Sequence, residues 1–284
     1  MKTRRALPRT PRRALIMAGG GLSGIDLNLG MAKAVFQRGR PDLICGTSAG
    51  AIVGAFVASR SIADCEQMVR GLKDSDVLDK RWFRRLRSPF LGHTIGNEKI
   101  LQLFRDHLPE DFGQLRIPLR AMATDLATGR GRWMRKGCLR SAVLASSAIS
   151  GIFPHVRIGK QLLADGGTAH NIPLPEDWHH FDEIYICIPG APYKYDPEKA
   201  NVIERLLWNI DLLMRDQTND ILRVLDSVIV RPGQTANFKT KAYVIQPPMG
   251  GEMLSFKHSL IEPAAHFTDR FLAARGNFAR GAKQ

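Results

Sequence analysis

The chain has 284 residues, of which 44% are hydrophobic and 24% are charged, and its formal net charge is +14. These values predict a globular protein that is long enough to bury one large core, and they argue against a disordered or fibrous chain. No run of about 18 apolar residues is present, so a membrane-spanning helix is not expected.

The N-terminal residues 1–13 contain six Lys or Arg side chains and no acidic one. The apolar stretch behind them, residues 14–18, is too short for the apolar region of a secretory signal. We therefore predict a basic, disordered tail at 1–13, a single domain at 14–275 that begins with a strand, and a second tail at 276–284.

A glycine-rich turn, Gly19-Gly20-Gly21-Leu22-Ser23-Gly24, follows the first strand and opens a helix over 26–38. Such a turn is also typical of dinucleotide-binding sites, where a pyrophosphate lies at the helix N-terminus. A nicotinamide site requires an acidic residue at the far end of the second strand. Asp42 lies at the near end of that strand instead, so no cofactor is expected.

Residues 46–50, Gly-Thr-Ser-Ala-Gly, separate an apolar strand at 43–45 from an apolar helix at 51–58. This pattern is typical of a nucleophile elbow, in which a serine occupies a sharp turn and glycines allow the strand and helix to pass closely. Ser48 is the predicted nucleophile. The turn at 19–24 would face it across the same sheet edge, so that the N–H groups of Gly20 and Gly21 could stabilise an oxyanion.

Later parts of the chain predict an open α/β fold followed by a largely helical part at 192–275. The expected helices are 62–72, 98–107, 141–148, 202–214, 218–229 and 264–274, and the expected strands are 117–123, 161–164, 183–188 and 242–245, with a hairpin tip at 124–129 and a return strand at 133–134.

A serine nucleophile needs a base, and the chain offers eight histidines and several acids. The order Ser48, Asp165, then His258 or His266 is compatible with an α/β-hydrolase triad. However, too few strands precede Ser48 for that fold. Asp165 ends a short buried strand before two glycines, and a desolvated carboxyl beside Ser48 can itself be the general base. An ordinary Asp-Gly turn is the structural alternative.

Basic clusters at 2–13, 80–87 and 130–136 are compatible with an anionic membrane surface or with simple solvation. No zinc-finger, RRM or helix-turn-helix pattern is present, so nucleic acid is not expected as a partner. The four cysteines have no metal-binding spacing and predict free thiols in a reducing, cytoplasmic compartment, with no metal site.

Three motifs together resemble patatin-like phospholipases: Gly19–Gly24, Gly46–Gly50, and Asp165-Gly166-Gly167 followed by Asn171-Ile172-Pro173. The stretches 121–129 and 145–154 are similar to this family as well, and the resemblance covers about residues 14–175. One departure is Ser23, which stands where the family commonly has Arg or Lys.

This resemblance implies a three-layer α/β/α sandwich of the patatin type with a mostly parallel central sheet. It also implies cleavage of phospholipid or lysophospholipid acyl esters by a Ser48–Asp165 dyad without metal or cofactor. Gly19, Gly20 and Gly21 would form the oxyanion hole, and the glycines supporting the motifs would be Gly24, Gly46, Gly50, Gly166 and Gly167.

Two other functions are compatible with the same sequence. A non-lipolytic esterase or thioesterase would use the same dyad with a different acyl pocket. A catalytically inactive protein that binds anionic surfaces would retain the fold without turnover. The sequence leaves the lipid headgroup, the acyl position and the oligomeric state open.

Overall fold

The computed structural model describes residues 10–77, 97–190, 198, 202–229, 240–250 and 255–280, without the side chains of 202–204, 206–207, 224–229 and 275–280. The basic cluster at 80–87 and most of the expected N-terminal tail lie outside the described residues.

The described strands form one eight-stranded, mostly parallel sheet. The strands are β1 (Arg13–Met17), β2 (Leu43–Thr47), β3 (Leu119–Asp125), β4 (Gly131–Met134), β5 (Val156–Ile158), β6 (Gln161–Asp165), β7 (Glu183–Cys187) and β8 (Lys241–Ile245). β1, β2, β3, β7 and β8 pair in parallel, whereas β4 and β6 pair antiparallel with β3, and β5 antiparallel with β6. The hydrogen-bonded connections run β5-β6-β3-β2-β1-β7-β8, and β4 also pairs with β3.

The third strand pairs with three others, and this determines where the site lies. Met122 pairs with both Thr47 of β2 and a residue of β4, while Ala123 pairs with both Asp165 of β6 and a residue of β4. Because a strand has only two hydrogen-bonding edges, β2 and β6 share one edge of β3, and β4 takes the other. β6 therefore continues the line of β2 just where β2 ends before Ser48.

Helices cover both faces of the sheet. They are α1 (Gly21–Gln37), α2 (Ala49–Ser59), α3 (Ile62–Gly71), α4 (Asp74–Val77), α5 (Glu98–His107), α6 (Leu139–Ser146), α7 (Val202–Ile229) and α8 (Ile261–Arg280). Leu15 and Met17 of β1 pack with α1, α2 and α8 in the larger core, whereas Ala14 and Ile16 face a smaller core that includes Ile172 and residues of α7. This alternation confirms the predicted three-layer α/β/α sandwich.

Several predicted boundaries differ from the structure. The two helices expected at 202–214 and 218–229 are the single helix α7, since Arg215, Asp216 and Gln217 include no glycine or proline that would end it. α1 begins at Gly21 instead of residue 26. α8 extends to Arg280, beyond the domain end expected at 275.

None of the helices in the described ranges combines the length and the apolar character required to cross a bilayer.

Candidate active site

Ser48 occupies the sharp turn between β2 and α2. Its backbone has φ 52° and ψ −121°, and among the described non-glycine residues it alone has a positive φ. Holding a residue in such a backbone conformation costs about 1–3 kcal/mol, and residues of this kind are common at functional sites. The Ser48 N–H donates to the Ser146 hydroxyl at 3.0 Å, and that hydroxyl donates to the Met122 carbonyl oxygen at 2.6 Å. Ser146 thus anchors the strained turn to β3.

The glycines around Ser48 allow the close approach that the elbow needs. A Cβ atom at Gly50 would lie 2.1 Å from the Met17 carbonyl oxygen, and one at Gly46 would lie 2.4 Å from the Gly50 carbonyl oxygen. Both distances are far below van der Waals contact with backbone atoms that cannot move independently. The sequence-based explanation for Gly46 and Gly50 therefore agrees with the packing.

Asp165 ends β6 and faces Ser48. The residue is 2% exposed, and its Oδ1 accepts the Gly167 N–H at 2.7 Å, whereas its buried Oδ2 has no hydrogen-bond partner among the described residues. Burial raises the pKa of Asp165 to about 6, against the smaller opposing effects of the nearby Ser48 hydroxyl and the Gly167 N–H. One oxygen of this buried carboxyl therefore makes no hydrogen bond to any of the described residues.

The triad alternative with His258 is wrong. The His258 ring lies with Nδ1 2.8 Å from Asp26 Oδ1 and Nε2 2.9 Å from the Leu72 carbonyl oxygen. His266 is exposed on α8. No histidine in the described ranges hydrogen-bonds Asp165, so no imidazole stands between the carboxyl and the serine.

The glycine turn lies directly against Ser48, and its three expected oxyanion donors are not equivalent. A Cβ at Gly19 would be 3.3 Å from the Ser48 Cβ. The Gly19 N–H already donates to Asn171 Oδ1 at 3.1 Å, which occupies this donor. The N–H groups of Gly20 and Gly21 lie where α1 begins, and a helix provides no partner for N–H groups in its first turn. The two remaining donors, together with the helix dipole, favour an anion there.

Asn171 was assigned no role by the sequence, although it belongs to the third motif. Its Oδ1 holds the Gly19 N–H, its Nδ2 donates to Thr218 Oγ1 at 3.3 Å, and its own N–H donates to Gln217 Oε1 at 3.2 Å. This one side chain therefore connects the glycine turn, the segment after Asp165 and α7. Its position six residues beyond Asp165 gave no periodic signal for such a contact.

Gly166 and Gly167 allow the segment after Asp165 to pack closely. A Cβ at Gly166 would lie 2.3 Å from the Met122 carbonyl oxygen, and one at Gly167 would lie 2.4 Å from Met214 Cε. Gly24 brings the first turns of α1 and α2 together, since its Cβ position is 3.3 Å from Ala49 Cβ.

An apolar cavity opens beside Ser48. Its walls come from α1, α2, α4, α5, the segment after α6 and the chain near residue 256, and they include Leu22, Ile52, Val77, Phe104 and Phe153. Leu22, Val77, Phe104 and Phe153 are buried core residues. Apart from Ser48 and Ser147 the side chains that line the cavity are apolar, and such walls suit a hydrocarbon group better than water.

The basic cluster at 130–136 lies on the far side of β3 from Asp165. Arg132 and Asp165 both pair with Ala123, so they lie two strand spacings apart, roughly 10 Å. Arg132, Arg135, Lys136 and Arg157 line one surface cavity, and all four are exposed. Within the described ranges, none of the four takes part in a salt bridge with an acidic side chain.

Among the described residues, no group of three or more His, Cys, Asp or Glu side chains is placed to hold a metal ion. Cys45, Cys65 and Cys187 are buried free thiols, and Cys138 is an exposed one.

A family model for patatin-like phospholipases matches residues 15–178, more than half of the chain. The chain belongs to the patatin-like phospholipase family. The match contains Ser48, Asp165 and the glycine turn, so the residues that carry the resemblance are the ones that the fold brings together. Membership of this family supports a lipid ester hydrolase.

Relatives within this family come from bacteria and mammals. A Mycobacterium tuberculosis protein described as an uncharacterized NTE family protein is 34% identical over 169 residues, covering 58% of this chain and 45% of the relative. Mouse patatin-like phospholipase domain-containing protein 6 is 34% identical over 170 residues, covering 56% of this chain and 12% of the relative. The chain thus spans less than half the length of these curated relatives.

A solved structure supports the fold. The crystal structure of VipD from Legionella pneumophila superposes with a TM-score of 0.52 at 14% identity, covering 94% of this chain and 67% of that one. At this identity the likeness concerns the patatin-like fold alone.

The family departure at Ser23 lies within this fold. Ser23 is 2% exposed in the first turn of α1, next to the glycines of the candidate oxyanion hole. A neutral, buried side chain at this position leaves Gly20 and Gly21 without the neighbouring cation common in the family.

Proposed function

We propose that this protein is a serine acyl hydrolase that cleaves lipid acyl esters with a Ser48–Asp165 dyad. The observation that carries the proposal is the buried Asp165 carboxyl next to Ser48, a serine on strained backbone; Oδ2 of that carboxyl has no hydrogen-bond partner among the described residues. A buried polar oxygen without a partner is costly, and such costs are common where a group must exchange a proton.

The geometry supports a two-step mechanism. Asp165 accepts the Ser48 proton while Ser48 Oγ attacks the ester carbonyl, and the N–H groups of Gly20 and Gly21 stabilise the oxyanion. The proton passes to the leaving alcohol as the acyl-enzyme forms. Asp165 then accepts a proton from water, which attacks the acyl-enzyme and releases the fatty acid, and Ser48 regains its hydrogen.

The apolar cavity beside Ser48 supports a lipid as substrate. Each methylene group of an acyl chain that moves from water into the cavity would stabilise the complex by about 0.8 kcal/mol. Long-chain esters are therefore favoured over short-chain esters. Phospholipids or lysophospholipids are the proposed substrates. The exposed cations Arg132, Arg135, Lys136 and Arg157 would bring the protein to an anionic membrane surface.

Labelling and turnover of matched variants test the dyad. We expect Ser48→Ala to lose fluorophosphonate labelling and ester hydrolysis, and Asp165→Asn to lose hydrolysis, while Ser59→Ala and Asp111→Asn keep both activities. Circular dichroism checks that each variant is folded. Hydrolysis retained by either folded dyad variant would contradict the proposed mechanism.

The two other functions give different results in the same assays. An esterase or thioesterase would turn over short-chain esters or thioesters but not phospholipid vesicles. An inactive surface-binding protein would bind anionic vesicles without labelling by the fluorophosphonate. Ser48 labelling together with fatty-acid release from vesicles would support lipid hydrolysis over both.

A further inference from the structure

The C-terminal part of the chain contributes a short segment to the cavity beside Ser48. This strap, residues 255–258, lies just before α8 and outside the part of the chain that matches the family model. Phe256 of the strap lines the same cavity as Ser48 and packs against the main core. The strap therefore brings an aromatic side chain from far along the sequence to the proposed acyl pocket.

Asp74 binds the first half of the strap. Its Oδ2 accepts the Ser255 hydroxyl at 3.0 Å, and its Oδ1 accepts the Phe256 N–H at 2.8 Å. Asp74 begins α4, and Val77 at the end of that helix also lines the cavity. One carboxylate thus fixes the Phe256 backbone relative to the opposite cavity wall.

Asp26 binds the second half of the strap. Its Oδ2 accepts the Lys257 N–H at 2.6 Å, and its Oδ1 lies 2.8 Å from His258 Nδ1. His258 Nε2 lies 2.9 Å from the carbonyl oxygen of Leu72, a further cavity residue. Both ring nitrogens face acceptors, so the imidazole donates on both sides when it is protonated.

The ring of His258 also supports Phe256 directly. The two rings stack with their centroids 5.3 Å apart and an interplanar angle of 29°. Asp26, which is the hydrogen-bond partner of His258 Nδ1, is fully buried in α1. The backbone of Phe256 and Lys257 is thus held by two carboxylates, and the Phe256 ring is held by the stacked imidazole.

We propose that Phe256 determines the acyl-chain length that the pocket accepts, with Asp26 and Asp74 as positioning residues for the strap. This inference rests on the proposed acyl-hydrolase function and names a determinant of its substrate. The physical reason is volume: a rigid ring occupies space that a longer hydrocarbon chain would need, and close-packed walls relax little.

Chain-length profiles test the role of Phe256. For esters of acids from C4 to C16, we expect Phe256→Ala to raise the ratio of kcat/KM for C16 over C8 by roughly tenfold or more, because each methylene accommodated in an apolar pocket is worth a factor of this order. Phe256→Trp should lower the ratio. If the Phe256→Ala variant does not fold, Phe256→Leu is used for the same comparison. The matched control is Phe267→Ala, which removes a partly buried aromatic ring of α8 outside the cavity.

The positioning residues have their own readout. Asp74→Ala should shift the chain-length ratio in the same direction as Phe256→Ala, and the double variant should shift it no further than Phe256→Ala alone. A merely structural role for Asp74 would lower the melting temperature and kcat/KM for all esters equally. An unchanged ratio in folded Asp74→Ala would overturn the positioning role.

A binding experiment separates this inference from the proposed function. In the Ser48→Ala background, C8 to C16 fatty acids are used to displace a fluorescent fatty acid, with and without Phe256→Ala. A shift toward longer acids supports the role of Phe256 even where no ester is hydrolysed. Hydrolysis by the wild-type protein with identical profiles for all Phe256 variants overturns the inference and leaves the dyad standing.

Discussion

Ser48 and Asp165 are aligned by the strand that lies beside both of them. Thr47, the residue before Ser48, pairs with Met122, and Asp165 pairs with Ala123, the next residue of β3. Ser146 adds a second connection, because it binds both the Ser48 N–H and the Met122 carbonyl oxygen. The relative position of nucleophile and carboxyl is therefore set by rigid sheet geometry and not by a loop.

The raised pKa of Asp165 predicts the pH dependence of hydrolysis. Asp165 can accept the Ser48 proton only when it is ionised, and its pKa is about 6. We expect kcat/KM to rise tenfold per pH unit below this value and to level off above it. A pH–rate profile on a neutral ester measures this, and a flat profile down to about pH 4.5 would mean that Asp165 is not the base.

The ionised carboxylate of Asp165 should lower the free energy of unfolding at neutral pH. Its pKa is higher in the folded protein than in an unfolded chain, so the folded state binds more protons between about pH 4 and 6 and loses stability as pH rises through that window. Asp165→Asn removes the buried charge. We expect this variant to be more stable than the wild type at pH 8, by at most about 3 kcal/mol, with a smaller difference near pH 4.

Denaturant unfolding of both proteins at the two pH values measures this difference. Asp125→Asn is a suitable comparison, because Asp125 is a buried carboxylate whose two oxygens accept hydrogen bonds from Ala127 N–H and Gln161 Nε2. Equal stability of Asp165→Asn and the wild type at pH 8 would show that burial of Asp165 carries no such cost.

The architecture and the location of the site follow from local sequence signals. The apolar runs before Gly19 and before Gly46 predict buried parallel strands, and glycines directly after them predict turns at one sheet edge. The local pattern also explains Gly46 and Gly50, because a close backbone crossing leaves no room for a side chain at either position. Each of these features depends only on residues that are close together in the sequence, so a single sequence is enough to predict them.

Contacts between distant polar groups could not be predicted in the same way. Asn171 occupies the Gly19 N–H, which removes one of the three expected oxyanion donors. The order of residues along the chain is compatible with His258 in a triad, but it cannot show that His258 lies against Asp26. Neither pairing produces a periodic pattern or a characteristic spacing in the sequence, because each depends on how distant elements pack in three dimensions.

Asn171 should matter for catalysis through the glycine turn. Asn171→Ala leaves the buried Gly19 N–H without its acceptor and frees the turn that carries Gly20 and Gly21. We expect kcat to fall by roughly 10- to 1000-fold with a much smaller change in KM, since misplaced oxyanion donors weaken transition-state binding. Thr218→Val removes the partner of Nδ2 but keeps the Gly19 contact, so it should cost less. Similar kcat values for Asn171→Ala and the wild type would remove this role.

Gly50 should tolerate no side chain. In Gly50→Ala the new methyl group would lie 2.1 Å from the Met17 carbonyl oxygen, so β1 and α2 would have to separate. We expect severe destabilisation, above about 4 kcal/mol. Gly71→Ala is the matched control, since a Cβ there meets nothing within 4 Å and the residue is helical. It should be neutral or stabilise by about 0.5 kcal/mol. Soluble expression and thermal unfolding distinguish the two variants.

The exposed basic cavity should control binding to anionic membranes. Replacing Arg132, Arg135 and Lys136 with Gln removes three exposed cations, each worth about 1 kcal/mol near an anionic bilayer, so affinity for phosphatidylserine vesicles should fall on the order of 100-fold. The control replaces Arg223, Lys241 and Arg270, three exposed cations on α7, β8 and α8, and makes the same change in net charge. Vesicle co-sedimentation at low and high salt measures both triple variants. Equal losses would mean that binding depends on overall charge, whereas a loss confined to the first variant would locate the membrane contact at the basic cluster that includes β4.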